Sequence, residues 1–206
     1  MNIKNYETIE IETDRLVLRK GTIEDYVLVY EYDMRKARDI GGEFELEKQD
    51  PNRIRAWFSE GMNKYYEKCA NETHTFAWII YLKPNMIPIG NITADRERKE
   101  MSACELAYNL HPNYWGKGYM PEAISSVLDY LFSIGYENVI SGWDEGNKKS
   151  KRVSEKMGFE LFNVIEESWI KNDMPITTYE SVMNKERWNK MKTEKNADLD
   201  LPKSKS

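Results

Sequence analysis

Apolar and polar positions alternate with a period of two over Arg15-Leu16-Val17-Leu18-Arg19, the pattern of a strand with one buried face. After Thr22, which has Asp25 three residues on as in a capping box, the period lengthens. Val27, Leu28, Tyr30 and Tyr32 then mark a helix expected to end near Ala37. Residues 38–49, with Gly41-Gly42 and several carboxylates, read as a mobile loop. Asp50-Pro51 offers the cap and first turn of a second helix, whose Ile54, Trp57, Phe58, Met62, Tyr65 and Tyr66 share a core-facing side. Residues 74–82 and 87–94, joined by Lys83-Pro84-Asn85-Met86, predict an antiparallel hairpin, and a charged turn over 95–100 leads to a third strand over 103–110. A helix follows from about Tyr119, with Ala123, Ile124, Val127, Leu128, Leu131 and Phe132 at helical spacing and Gly135 as a left-handed stop. A strand over 138–143, a helix over 147–157 stopped by Gly158, and strands over 159–170 and 176–183 complete the pattern. Beyond about Lys192 apolar content falls, and disorder is expected.

This order implies an α/β (α+β) fold: a mixed sheet of about seven strands with helices on both faces. The crossover from 103 to 143 makes the third hairpin strand and the next strand parallel neighbours, and a ligand is expected beyond their carboxyl ends. There lies the stretch around which the chain is organised, Glu105 to Ala123. Gly116 and Gly118 flank Lys117 and remove side chains that would block close approach, while the following helix start contributes unpaired N–H groups and partial positive charge. Pro121 suits a first helical turn. On spacing alone the turn is either a phosphate cradle or a plain strand-to-helix connection.

Composition narrows the choice. The 206 residues, 40% hydrophobic and 32% charged, suit one domain over 1–190 with a tail over 191–206. A net charge of -5 gives no general footprint for nucleic acid or an anionic membrane. No apolar run is long enough to span a bilayer, and Met1-Asn2-Ile3-Lys4-Asn5 does not open a signal peptide, so a cytoplasmic location is expected. Cys69, Cys104, His74 and His111 are isolated, without metal-ligand spacing, and read as structural. Neither common nucleotide-binding glycine motif occurs.

Four segments then stand together: Glu12-Thr13-Asp14-Arg15-Leu16-Val17-Leu18-Arg19, Ile89-Gly90-Asn91-Ile92, Tyr114-Trp115-Gly116-Lys117-Gly118-Tyr119, and Asn147-x-x-Ser150 followed by Glu155-Lys156-Met157-Gly158-Phe159. In this order the chain resembles a GNAT-superfamily N-acetyltransferase, most closely the ribosomal-protein (Rim-type) branch, over residues 9–185. The resemblance implies a GNAT-like twisted, mostly antiparallel sheet, acetyl-CoA as donor, an amine acceptor, no metal, and a monomer or homodimer. It also implies that the main-chain N–H groups of Gly116, Lys117, Gly118, Tyr119 and Met120 hold the pyrophosphate. Trp115 stands where the family pattern has Arg or Gln, and Met120 where it has Gly or Ala.

Amine attack on a thioester needs a neutral amine, a place for developing negative charge, and a proton for the leaving sulfur. Glu105 is the candidate to take the proton, against the plain reading of an outward-facing strand carboxylate. Family geometry implies a bulge near Asn109 and Leu110 that frees the Leu110 N–H for the carbonyl oxygen. Asn147 and Ser150 fit helix capping, and the resemblance implies contacts with the pantetheine arm and a proton-donor role for Ser150. Lys148, Lys149, Lys151 and Arg152 crowd a helix start, where the macrodipole favours anions; a resident phosphate or a solvated cluster explains them, and Lys117 presents the same choice. Asp39, Glu43, Glu45 and Glu47 offer attraction for a cationic acceptor, and Trp78, Tyr108 and Trp143 either line its slot or pack in the core. The rival reading is a noncatalytic acyl-CoA-binding or sensor module.

Overall fold

The computed structural model describes residues 7–32, 38–40, 43–60, 75–171 and 174–199. In chain order these form β1 (Ile11–Glu12), β2 (Leu16–Arg19), α1 (Ile23–Val29), β3 (Arg38–Ile40), β4 (Glu43–Glu45), α2 (51–60), β5 (Phe76–Leu82), β6 (Ile87–Arg98) and β7 (Ala103–Leu110). There follow α3 (Tyr119–Ile134), β8 (Asn138–Asp144), α4 (Lys148–Met157), β9 (Glu160–Lys171), β10 (Met174–Asn184) and α5 (Lys185–Leu199). Eight strands join in the order β1-β2-β5-β6-β7-β8-β10-β9, one more than expected, and β3 pairs only with β4. Every neighbouring pair in the large sheet is antiparallel except β7 and β8, the parallel pair that the crossover through α3 requires.

The period of two explains why both faces are covered. Leu16 and Leu18 of β2 pack with Phe76, Trp78, Ile92 and Leu106 against Ala123, Ile124, Val127, Leu128 and Leu131 of α3. Val17, between them, points the other way and joins Ile79 and Tyr81 under Tyr26 and Val29 of α1 and Ile54 and Phe58 of α2. Fully burying a side chain of this size contributes about 1.5–3 kcal/mol, so each helix is held mainly by its apolar stripe.

Several expectations are corrected. The Thr22–Asp25 capping box forms, but α1 stops at Val29 rather than near Ala37. Tertiary pairing takes the chain away: Tyr32 bridges to Lys48, the Gln49 N–H donates to the Glu31 carbonyl, and the Gln49 side chain donates to the Tyr30 carbonyl. The segment 38–49, expected to be a loop, contains the β3–β4 hairpin. On α2, Ile54 and Phe58 are buried while Trp57 lies at the margin, 57% exposed, edge-on to Tyr30. Met62, Tyr65, Tyr66, Cys69 and His74 lie outside the described residues. β6 runs on to Arg98, beyond the expected Ala94. The tail expected from 191 is helical to Leu199. Trp188 is buried and donates to Asp129, which also pairs with Lys192, and Met191 packs at Gly158. A few anchors on one face thus hold a segment of low apolar content.

Candidate active site

The corner between β7 and α3 is built from main chain. Gly116 (φ 73°) and Gly118 (φ 79°) are left-handed, a region that costs an L side chain about 1–2 kcal/mol, and Gly118 is the N-cap of α3. A Cβ on Gly116 would meet nothing within 4 Å, so conformation rather than crowding within the chain calls for glycine there. The first bond closing α3 runs from the Glu122 N–H to the Gly118 carbonyl at 3.2 Å. The Tyr119 and Met120 N–H groups precede it without an intrahelical partner, and Pro121 has none to leave over. Met120 is 4% exposed with its side chain in the core, so the bulk that departs from the family pattern is turned away from the corner.

Side chains from distant segments hold the corner rigid. Arg15 donates from Nε to Glu122 Oε2 at 2.6 Å and from Nη1 to the Lys117 carbonyl at 3.1 Å, and its guanidinium covers the Tyr119 ring. The Thr13 hydroxyl and Arg15 N–H donate to Glu122 Oε1. Burial works to raise the Glu122 carboxyl, but these donors outweigh it and hold the group below the ordinary carboxylate range. Trp115 donates from Nε1 to the Leu110 carbonyl at 2.7 Å, and Lys149 Nζ lies 4.3 Å from its ring centre. Lys117 folds back onto the Asn113 carbonyl at 2.9 Å rather than reaching into the corner. Lys148, Lys151 and Arg152 are exposed, with Lys151 3.8 Å from Glu155. His111 accepts the Asn113 N–H and Cys104 is buried in the core, structural roles for both.

Below the corner the sheet opens. β7 pairs with β8 from Ala103–Asn138 only to Leu106–Ser141, while its ladder with β6 continues to Gly90–Leu110. The bulge expected near Asn109 and Leu110 is absent: the β6–β7 register is unbroken there and shifts only between Asp95 and Arg98. Strand alternation frees the donors instead. His111 N–H donates to the Ile89 carbonyl on β6, so the N–H groups of Leu110 and Tyr108 face the opposite side, beyond the last β8 pairing. Across this gap the Tyr108 hydroxyl lies 3.0 Å from Ser150 Oγ, at the start of α4, where Asn147 accepts the Ser150 N–H at 3.1 Å as N-cap. Burial pushes the Tyr108 phenol up, so it remains a neutral hydroxyl at physiological pH.

Beside the gap is a cavity of about 740 Å³. Glu105, Tyr108, Trp143, Asn147 and Ser150 line it, which brings the expected catalytic residues to one place. Trp78 belongs to the core instead, donating from Nε1 to the Ile9 carbonyl. The side chains of Asp39, Glu43 and Glu45 lie outside the described residues, and Glu47 is exposed. The polar floor comes from residues that sequence reading did not single out. Arg98 donates from Nε to Glu105 Oε1 at 2.9 Å and from Nη1 to Glu180 Oε2 at 3.1 Å, and its Nη2 bridges both carboxylates. Arg98 holds the Glu180 carboxyl below its ordinary range, and the pairing raises Arg98 in return. Asn163 donates to Glu180 at 2.8 Å. The sequence signal for Glu180 was that it is the one charged residue in the closing strand, Met174–Asn184. Among the described residues no group of three or more His, Cys, Asp or Glu is placed to hold a metal.

A family model for the acetyltransferase (GNAT) domain matches residues 15–160. The chain belongs to the GNAT acetyltransferase family. A Bacillus subtilis (strain 168) protein named uncharacterized N-acetyltransferase YoaA is 26% identical over 169 residues, 82% of this chain and 92% of its own. The ribosomal-protein-S5-alanine acetyltransferase of Vibrio fischeri superposes with a TM-score of 0.63 at 18% identity, over 87% of this chain and 98% of the other. Microcin C7 self-immunity acetyltransferase MccE, solved with acetyl-CoA and AMP, superposes at 0.65 with 16% identity, over 84% and 93%. At such identities the structural likeness shows the GNAT fold. No described helix is long and apolar enough to cross a membrane.

Proposed function

We propose that this GNAT protein is an N-acetyltransferase that moves acetyl from acetyl-CoA directly to a primary amine, either a protein N-terminus or a small-molecule amine, and that it stands nearest the Rim-type branch. The observation that carries the reading is the end of the β7–β8 ladder at Leu106–Ser141, which opens a gap between the main-chain corner and the cavity. The corner fits the donor. Its left-handed glycines present the Tyr119 and Met120 N–H groups for a pyrophosphate, and Lys149 over Trp115 stands at the edge for a phosphate. Acetyl-CoA, when bound, supplies an acetyl group activated as a thioester.

The chain's own residues do the rest. The Leu110 N–H, with that of Tyr108, faces the gap where negative charge develops on the carbonyl oxygen. Ser150 and Tyr108, sharing one hydrogen bond, return a proton to the leaving sulfur, and Asn147 fixes the start of α4 beneath them. Glu105 takes the amine proton. It lies five positions before Leu110 on the strand, about 16 Å, so it works through water in the cavity. No metal enters this scheme. Cytoplasmic amines are the expected acceptors, met by a monomer or homodimer.

The test measures CoA release from acetyl-CoA across peptide N-termini, polyamines and aminoglycosides. Release that depends on one amine class supports the reading and names the acceptor. Tight CoA binding with no amine-dependent release overturns it in favour of a sensor module.

A further inference from the structure

A displaced register at the end of β6 puts a cation where a regular strand would not. Asp95 lies opposite Glu105, but after the shift Arg98 lies opposite Ala103, with Arg96 left-handed (φ 48°) between them. Residues opposite each other in a ladder share a face, and without the extra residue Arg98 would stand on the side away from Glu105. The bulge turns it to the cavity, while Glu97 turns the other way and accepts from the Tyr136 hydroxyl. Arg98 then serves two carboxylates with one charge: Nε and Nη2 bind Glu105 Oε1, and Nη1 and Nη2 bind both oxygens of Glu180. Among the described residues Glu105 Oε2 is left with Arg96 alone, 3.5 Å away on a side chain 78% exposed.

We propose that Arg98 and Glu180 are positioning residues that orient Glu105 and set its basicity, Glu180 by drawing off part of the Arg98 charge that would otherwise quench the base. This rests on the reading of Glu105 as the base. The guanidinium fixes Oε1 and aims Oε2 into the cavity; as the amine N–H bond breaks, its proton passes along water in the cavity and an O–H bond forms on Oε2. Asn163 locks Glu180 so that the division of charge is constant. The other charged or titratable groups facing this point are Asp95 and Arg96 of β6, Tyr108 of β7 and Asp144 of β8, the last engaged by the Thr178 hydroxyl at 2.8 Å. β9 contributes Ile165, Ser168 and Trp169, none of which titrates.

The test titrates full-length protein carrying glutamate labelled with carbon-13 at the side-chain carboxyl, with the Glu105 resonance identified by its loss in Glu105→Gln. Glu180→Gln leaves the Arg98 charge to Glu105 alone and moves the Glu105 midpoint down; Arg98→Met removes the cation and moves it up. Each shift is about one pH unit, at the low end of what a neighbouring charge produces because the cavity is open to water. Arg98→Lys, which keeps the charge, holds the midpoint within a few tenths if charge rather than packing is responsible. The acid limb of turnover, measured with an alanyl peptide, spermidine and kanamycin as acceptors, follows the midpoints. If both variants leave the midpoint unmoved, or move it the same way, the inference is wrong even though Glu105→Gln disables turnover. If Glu105→Gln leaves turnover intact, the reading of Glu105 as base has failed first. Circular dichroism and melting temperature confirm that each variant is folded.

Discussion

The two ends of β7 solve different problems by different means. At its carboxyl end the corner of Gly116–Met120 offers main-chain N–H groups held in place by a local sequence, and the side chains around it, Arg15, Glu122 and Trp115, serve as braces. At its amino end the cavity floor is made of charged side chains drawn from β6, β7 and β10, with Asn163 of β9 donating to one of them. A corner of amides binds by shape and tolerates change in almost every side chain. The floor depends on each carboxylate and guanidinium having its partner, because unpaired charge in a partly closed site is costly. The substitutions that follow separate the two.

Leu110→Pro should have the largest effect. It deletes one N–H facing the gap and spares the β6 ladder, since that N–H points away from β6. Turnover should fall about a hundred- to a thousandfold while calorimetry finds acetyl-CoA binding retained. A loss of only a few-fold in folded protein would remove Leu110 from the mechanism. Glu105→Gln should cost about a hundredfold in turnover, at the low end for a general base because water links it to the amine. Gly118→Ala acts on the opposite region. Its φ of 79° penalises the new side chain, and acetyl-CoA should bind about tenfold more weakly, with turnover at saturation unchanged. A loss of turnover without a loss of affinity would show the corner to be more than a binding device.

Ser150→Ala should lower turnover less than tenfold and leave affinity alone, because the Tyr108 hydroxyl 3.0 Å away can stand in as donor. If affinity alone suffers, Ser150 only binds. The smallest effect belongs to Glu122→Gln, which trims a brace. Its carboxyl is held below the ordinary carboxylate range, so its stabilisation is present above that range and fades as pH falls through the depressed value. With Arg15 partly exposed, the variant should lose about 1 kcal/mol at pH 7, and its melting temperature should converge on the wild type's in acid. A constant difference across pH would mean that the charge is irrelevant.

The same contrast governs what could be read from the chain. The corner was legible residue by residue: glycines with helix-start chemistry, the strand before them and the Gly135 and Gly158 stops all follow from neighbours a few positions apart. The capping box of α1 was legible too, but the point where α1 ends was not, because pairing with Lys48 and Gln49 decides it. Helical order from 191 to 199 was hidden for a similar reason, since Trp188 and Lys192 find Asp129 on α3, about sixty residues away in sequence.

The sequence by itself determined the alternation of strands and helices, the parallel crossover, the glycine-opened corner before α3 and the family, since each is encoded in local spacing and in glycine, proline and capping chemistry. Only the tertiary structure decided where β7 and β8 part, which way the Leu110 N–H faces, and that Arg98 stands between Glu105 and Glu180. Those depend on ladder register and a single bulged residue, and a shift of one position reverses the face on which a side chain stands.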